Sequence, residues 1–240
     1  TGRITCEASK HEQVVNLVDE HTDIFKEVFK NKHNLGVAIN QLTYTDYFFN
    51  ELDYKYLLHL EDDLVLSKNY VFLIKKLLAE YEDDEKVKQV LGSPKDVKDY
   101  IDGNKDEKKL ARATFPKTPH AWGVGWWREK WNKMKPYFME SYRRFLKDID
   151  YVNRDHNKII EFYKKHSLDD RTSSQDKQRD LAFSRAGYTD TIQTVKQRAK
   201  YIGKSGLHST PGLYYRDWQG TTDNNIDYEI DTTQENYVEL

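Results

Sequence analysis

The apolar positions of this chain alternate between a helical and a strand-like period. Val14, Leu17, Val18, His21, Phe25 and Val28 recur at helical spacing, a run that Thr22-Asp23 ends early. "RITCEA" (3–8) before it reads as a short strand, and so does "KEVFKN" after it, closed by the turn signal in "NKHNLG". Ile39, Leu42, Phe49 and Leu52 outline a second helix. Residues 54–60 are apolar on both faces, the pattern of a central, parallel strand. Beyond it, Ser67 or Asn69 can cap a helix in which Tyr70, Leu73, Ile74, Leu77, Leu78 and Tyr81 keep one face dry.

The second half continues less regularly. Residues 82–112 are rich in Lys and Asp around "LGSP", which predicts a strand followed by a loop. "HAWGVGWWREKWNKMKPYF" (120–138) reads as a Gly-hinged turn running into a helix, with Trp127, Trp131 and Met134 on its core face. Helices are expected over 158–166 and 176–186, the latter ended by Gly187, and "TDTIQTV" (189–195) alternates as a strand does. From residue 217 the chain turns acidic and polar, the pattern of an irregular surface arm. Strands alternating with helices predict a wound α/β fold with a mostly parallel central sheet flanked by helices. In such sheets ligands bind beyond the carboxyl ends of the strands. Glu61, Asp62 and Asp63 stand at that end of the 54–60 strand.

Composition narrows the function classes. The 240-residue chain is 38% hydrophobic and 32% charged, enough apolar material for one sizeable core under a wet surface. A net charge of −2 argues against a dedicated nucleic-acid binder. Cys6 is the only cysteine, which excludes an intrachain disulfide and a Cys-based zinc site. No apolar run reaches the length of a membrane span, so no transmembrane segment is expected in this chain. The expected location is cytoplasmic, with a membrane-associated parent protein as the alternative. Consecutive carboxylates suit a hard divalent ion, Mn²⁺ or Mg²⁺, which takes oxygen ligands and shares them with substrate phosphates.

The stretch "CEASKHEQVVNLVDEHTDIFKEVFKNKHNLGVAINQ" together with "DYKYLLHLEDDLVLSKNYVFLIKKL" resembles the nucleotide-sugar half of a glycosyltransferase with the GT-A fold. It is similar to the broad family-two enzymes and, in its Glu-Asp-Asp form, to inverting N-acetylglucosaminyltransferases. The resemblance covers about residues 4–210. It implies that Glu7, Asn34, Gly36, Glu61 and Asp62 contact the nucleotide-sugar donor and that Asp63 binds the metal. "AWGVGWW" resembles the acceptor-side Gly/Trp loop; in this Gly-interrupted turn the Trp126 indole can stack on a sugar's apolar face, and Trp122 can do so or belong to the core, which its reading favours. "SSQDKQRDLAFSRAGY" resembles the helix whose leading acid is the catalytic base, which points to Asp176. "YIGKSGLHS" resembles the loop whose histidine reaches back to the metal, which points to His208. Two departures stand out: nothing occupies the place of the family's first strand, and "CEAS" stands where the family often has Asp-x-Gly-Ser.

The resemblance implies a GT-A (Rossmann-like) catalytic domain over 1–216, with a nucleotide-sugar half (1–92), an acceptor half (93–216) and an acidic arm (217–240). It implies inverting transfer of a sugar from a nucleotide sugar, UDP-linked by default, to a glycan hydroxyl. A noncatalytic carbohydrate- or nucleotide-binding module of the same fold is the alternative, as is a metal-dependent phosphotransferase or nuclease using the same acids.

Overall fold

The computed structural model describes residues 8–21, 23, 28–29, 31, 35–93, 109–117, 122–147, 149, 153–168, 173–204 and 237–239. The helices are α1 (Ala8–Glu20), α2 (Gly36–Asp46), α3 (Tyr70–Glu80), α4 (Arg128–Phe145), α5 (His156–Lys165) and α6 (Gln175–Arg185), with a π-helical turn, Tyr47–Glu51, extending α2. The strands are β1 (Tyr56–His59), β2 (Leu64–Leu66), β3 (Val87–Leu91), β4 (Leu110–Thr114), β5 (Val124–Trp127), β6 (Asp190–Thr194), β7 (Ala199–Tyr201) and β8 (Tyr237–Glu239). Six strands form one sheet in the order β1-β5-β3-β6-β4-β8, and β2 pairs with β7 apart from it.

The α/β class holds, but the expected mostly parallel sheet does not. The β1/β5, β3/β5 and β4/β6 pairs are antiparallel, and only β3/β6 and β4/β8 run parallel. The 54–60 run is an edge strand among the described residues, pairing with β5 alone. Its apolar faces have a different cause from a central position. Tyr56 and Leu58 pack against the α3 side of the sheet, while Leu57 packs against the opposite core. A strand held between two helical layers is apolar on both faces wherever it stands in the sheet.

Those two layers make up the interior. On one side, the dry face of α3 (Tyr70, Leu73, Ile74, Leu77, Leu78) meets Val87, Val90, Leu110 and Ile192 of the sheet. The other side gathers Phe49, Trp126, Trp131, Met134, Phe138, Phe162, Leu181 and Phe183 from β5 and the remaining helices. The expected turn at "GVGWW" is instead strand β5. Gly125 lets α3 lie directly on it, since a Cβ there would stand 2.8 Å from Ile74 Cγ2 and 2.9 Å from Val90 Cγ2. Strand alternation then sends Trp126 and Trp127 to opposite cores, so Trp127 does not share a face with Trp131 and Met134 as helical spacing suggested.

The helices follow the sequence pattern more closely. α3 begins right after Asn69, α5 and α6 lie over the expected runs, and Gly187 (φ +96) follows α6. β4 has no counterpart among the expected strands. The expected irregular arm ends in strand β8, parallel to β4. The strand expected at 3–8 lies outside the described residues except for Ala8, which opens α1; of the strand expected at 26–31, Val28, Phe29 and Asn31 are described and belong to no strand.

α6 is fastened by charge as well as by packing. A bulge between Val87 and Gln89 interrupts the β3/β6 register and leaves Lys88 as the extra residue. Its Nζ donates to Asp180 Oδ1 at 2.6 Å, and both side chains are buried. Burial draws the Lys88 ammonium below its ordinary value, and Asp180 opposes that shift. Breaking such a pair leaves a lone buried charge. Asp180→Ala is therefore expected to lose about 3–5 kcal/mol of stability in urea unfolding, while a joint Lys88→Met/Asp180→Leu change restores most of it. A double variant as unstable as the single one would show that packing, and not charge, holds α6 in place.

Candidate functional site

The acidic triplet lies between β1 and β2, and the head of α6 comes to meet it. Ser174 caps α6 by accepting from the Lys177 amide at 3.3 Å, which leaves Asp176 in the first turn. A carboxylate there is favoured by the exposed N–H groups and the positive end of the helix. One turn on, Arg179 is buried, and its Nη2 donates to Asp176 Oδ1 at 2.8 Å. Its Nη1 donates to Gln41 Oε1 of α2 at 2.6 Å, and the guanidinium lies 5.0 Å from the centre of the Trp126 ring. One side chain thus ties together α2, α6 and the sheet.

His59, the last residue of β1, completes the floor. Its ring stacks on Trp126 at 5.5 Å and on Tyr44 at 5.7 Å. Burial, reinforced by the nearby Arg179 charge, lowers the His59 pKa to about 4. Burial also raises the Tyr44 hydroxyl above its usual range. At neutral pH the imidazole is uncharged and the phenol protonated, and the two share a hydrogen bond between the Tyr44 hydroxyl and His59 Nδ1, 2.6 Å apart, whose direction the imidazole tautomer sets. The other ring nitrogen, Nε2, stands 4.0 Å from Glu61 Oε1.

Glu61 therefore gathers with His59, Tyr44, Arg179 and, within reach of its charge, Asp176 in one half-buried recess. Desolvation first, then the negative charges of Asp176 and Asp63, raise its pKa to about 7, against the opposing pull of Arg179. Near neutral pH it exists as both acid and carboxylate, and so can donate or accept a proton.

Asp62 is exposed. Asp63 turns toward the β2/β7 ladder, where the Ile202 amide donates to its carbonyl at 2.9 Å. Burial, then repulsion from Asp62, raises the Asp63 pKa, while a hydrogen bond from Tyr201 opposes the rise. Its Oδ1 is buried with no hydrogen-bond partner. Tyr201 stacks on Trp122 at 4.9 Å with the rings 5° from parallel, so an aromatic pair borders this acid.

The remaining expected site residues divide. Gly36 opens α2 with φ +71 and nothing within 4 Å of its Cβ direction. Trp126 cannot meet a sugar: it is fully buried in β5, its Nε1 donating to Gln89 Oε1 at 3.3 Å. Its face carries His59 and Arg179, so the contact expected from the Gly/Trp loop becomes support for the recess. Glu7, Asn34 and His208 lie outside the described residues. Among the described residues no three His, Cys, Asp or Glu side chains converge on a point that would hold a metal.

Sequence reading missed Arg179, Gln41, Tyr44, His59 and Tyr201. Arg179 was within reach, because it stands three residues after Asp176 on a helix, where opposite charges meet. No family model matches the chain, and no curated protein matches it.

The raised Glu61 pKa carries a stability signature. The native state holds this proton more tightly than the unfolded chain, whose carboxyl keeps its ordinary value of 4.5. Stability is therefore greatest below that value and falls as pH rises toward about 7. The side chain is 38% exposed, so solvent screening reduces the loss to about 1 kcal/mol. Glu61→Gln has no proton to lose, and its stability relative to the parent is expected to rise between pH 5 and pH 8 in thermal melts. A constant difference across that range would place Glu61 in an ordinary aqueous environment.

Proposed function

We propose that this chain is a metal-dependent, inverting glycosyltransferase of GT-A type that moves a sugar from a nucleotide-sugar donor, UDP-linked by default, to a glycan hydroxyl. One observation carries the reading: Glu61 of the acidic triplet and Asp176 of α6, 115 positions apart in the chain, meet around one indole, Asp176 through Arg179 over Trp126 and Glu61 4.0 Å from His59, which stacks on the same ring. The resemblance assigns these acids to the donor and the acceptor, and transfer requires both substrates in one place.

One described acid, Asp63, has the chemistry to take a hard cation. Asp63 offers a buried oxygen with no other partner, and carboxylates are the ligands such ions take. A bound Mn²⁺ or Mg²⁺, held by Asp63, His208 and the donor diphosphate, would supply Lewis-acid neutralisation of the leaving group. Glu61 and Asp62 would position the donor, Glu61 through a hydrogen bond given in its protonated form.

Asp176 is the base in this scheme. The Arg179 guanidinium, 2.8 Å from its Oδ1, and its place in the first turn of α6 fix its direction. From there it takes the proton of the acceptor hydroxyl as that oxygen attacks the anomeric carbon from the face opposite the nucleotide. The leaving diphosphate departs with the bonding electron pair, and configuration inverts.

A panel of nucleotide sugars incubated with Mn²⁺, followed for donor hydrolysis and transfer, tests the reading. Asp63→Ala is expected to abolish turnover while leaving the melting temperature nearly unchanged. Asp176→Asn is expected to lower transfer about 10²- to 10⁴-fold with donor affinity retained. Full activity in EDTA would remove the metal, and a product keeping the donor's anomeric configuration would remove the single displacement. Donor binding without turnover would favour the noncatalytic module, and phosphate release from nucleic acid or a phosphorylated acceptor would favour a phosphotransferase or nuclease.

A further inference from the structure

A second surface lies on the outward side of α3. Four of its first seven residues are exposed, and they pair apolar with basic chemistry: Val71, Phe72, Lys75 and Lys76. Phe72 is 63% exposed and Val71 50%, although the same helix has ample buried positions for apolar side chains. Lys75 and Lys76 stand three and four residues after Phe72, one helical turn on, and Lys68 is exposed in the turn before the helix.

The flanking ladder repeats the combination. Val65 of β2, 41% exposed, stands directly opposite Lys200 of β7, and Ile202, 43% exposed, precedes the exposed Lys204 by two residues. The inner side of the ladder, Leu66 and Ala199, packs on the same core as α3. Acids are missing from both segments. The chain holds 40 Asp and Glu in 240 residues, yet none between Asp63 and Glu80 and none over 191–204. With a net charge of −2 overall, these two segments are basic against the chain as a whole, with exposed Asp62 and Glu80 flanking the first.

We propose that this face, centred on Phe72 and its lysines, docks the protein on the surface of an anionic lipid bilayer. Exposed aromatic and aliphatic side chains enter the headgroup boundary, while lysines around them meet lipid phosphates and extend their stems along the interface. Each lysine near an anionic leaflet strengthens binding about fivefold, so neither the charges nor the apolar side chains need suffice alone. No helix among the described residues is long and apolar enough to cross a membrane, so the contact is peripheral. A nucleic acid fits less well, because apolar side chains at the centre of the patch gain nothing from a phosphate backbone. The docking is independent of the glycosyltransferase reading, since none of the patch side chains belongs to the acid recess.

Vesicle flotation tests it with the full chain, using phosphatidylcholine vesicles alone and with 30 mol% phosphatidylserine. The anionic vesicles are expected to bind the protein at least about tenfold more strongly, with the difference shrinking at 0.5 M salt. Lys75→Glu/Lys76→Glu is expected to lower that binding at least tenfold. Phe72→Ser should weaken it at every salt concentration, with the melting temperature retained in both variants because these side chains lie outside the core. Equal partition to the two vesicle types, parent-like binding by the charge-reversed variant, or binding to RNA without binding to vesicles would each overturn the proposal.

Discussion

The candidate site depends on one buried guanidinium. Arg179 is held from three directions: Gln41 accepts from it, Asp176 pairs with it and Trp126 lies beneath it. A buried arginine is costly unless its charge is balanced and most of its donors are used, and here the balancing carboxylate is the expected catalytic one. The pairing therefore does two jobs with one contact. It makes the buried charge tolerable and fixes Asp176 toward the acidic triplet. Removing Arg179 would release α2, the head of α6 and the Trp126 face together, and the recess with them.

The same economy recurs in the recess. His59 lies between Tyr44 and Trp126, and the desolvation that keeps its ring neutral also raises Glu61. A polar floor laid over stacked aromatic rings gives groups at once oriented and poorly hydrated, the condition under which a carboxyl exchanges protons near neutral pH. Asp63 faces a different environment, the β2/β7 ladder with Tyr201 and Trp122. The three consecutive acids therefore cannot share one role: one lies within reach of the Asp176 charge, one faces solvent and one offers a buried oxygen.

Much of this was legible in the sequence because it is local. The dry face of α3 repeats at 3.6-residue spacing, and Ser174 followed by Asp176 reads as a helix head, which it is. What could not be read was non-local. The Arg179–Gln41 bond joins residues 138 positions apart, and no spacing rule reaches that far. Burial on both faces of β1 spoke of two helical layers, and it was taken for a central place in a parallel sheet. Gly125 suggested a hinge, yet its missing side chain serves the close contact of α3 with β5. Trp126 fell into the same error, because an indole beside glycines looks like a ligand platform until strand alternation turns it inward.

The central claim is that the acids between β1 and β2 form a metal-assisted nucleotide-sugar site, and calorimetric titration of UDP with and without Mn²⁺ tests it most directly. Binding by the parent protein should depend on Mn²⁺. Asp63→Asn should lose that dependence, and Asp176→Asn should keep it, since the proposed base touches the acceptor and not the nucleotide. UDP binding that ignores both Mn²⁺ and Asp63, or no binding of any nucleoside diphosphate, would contradict the claim.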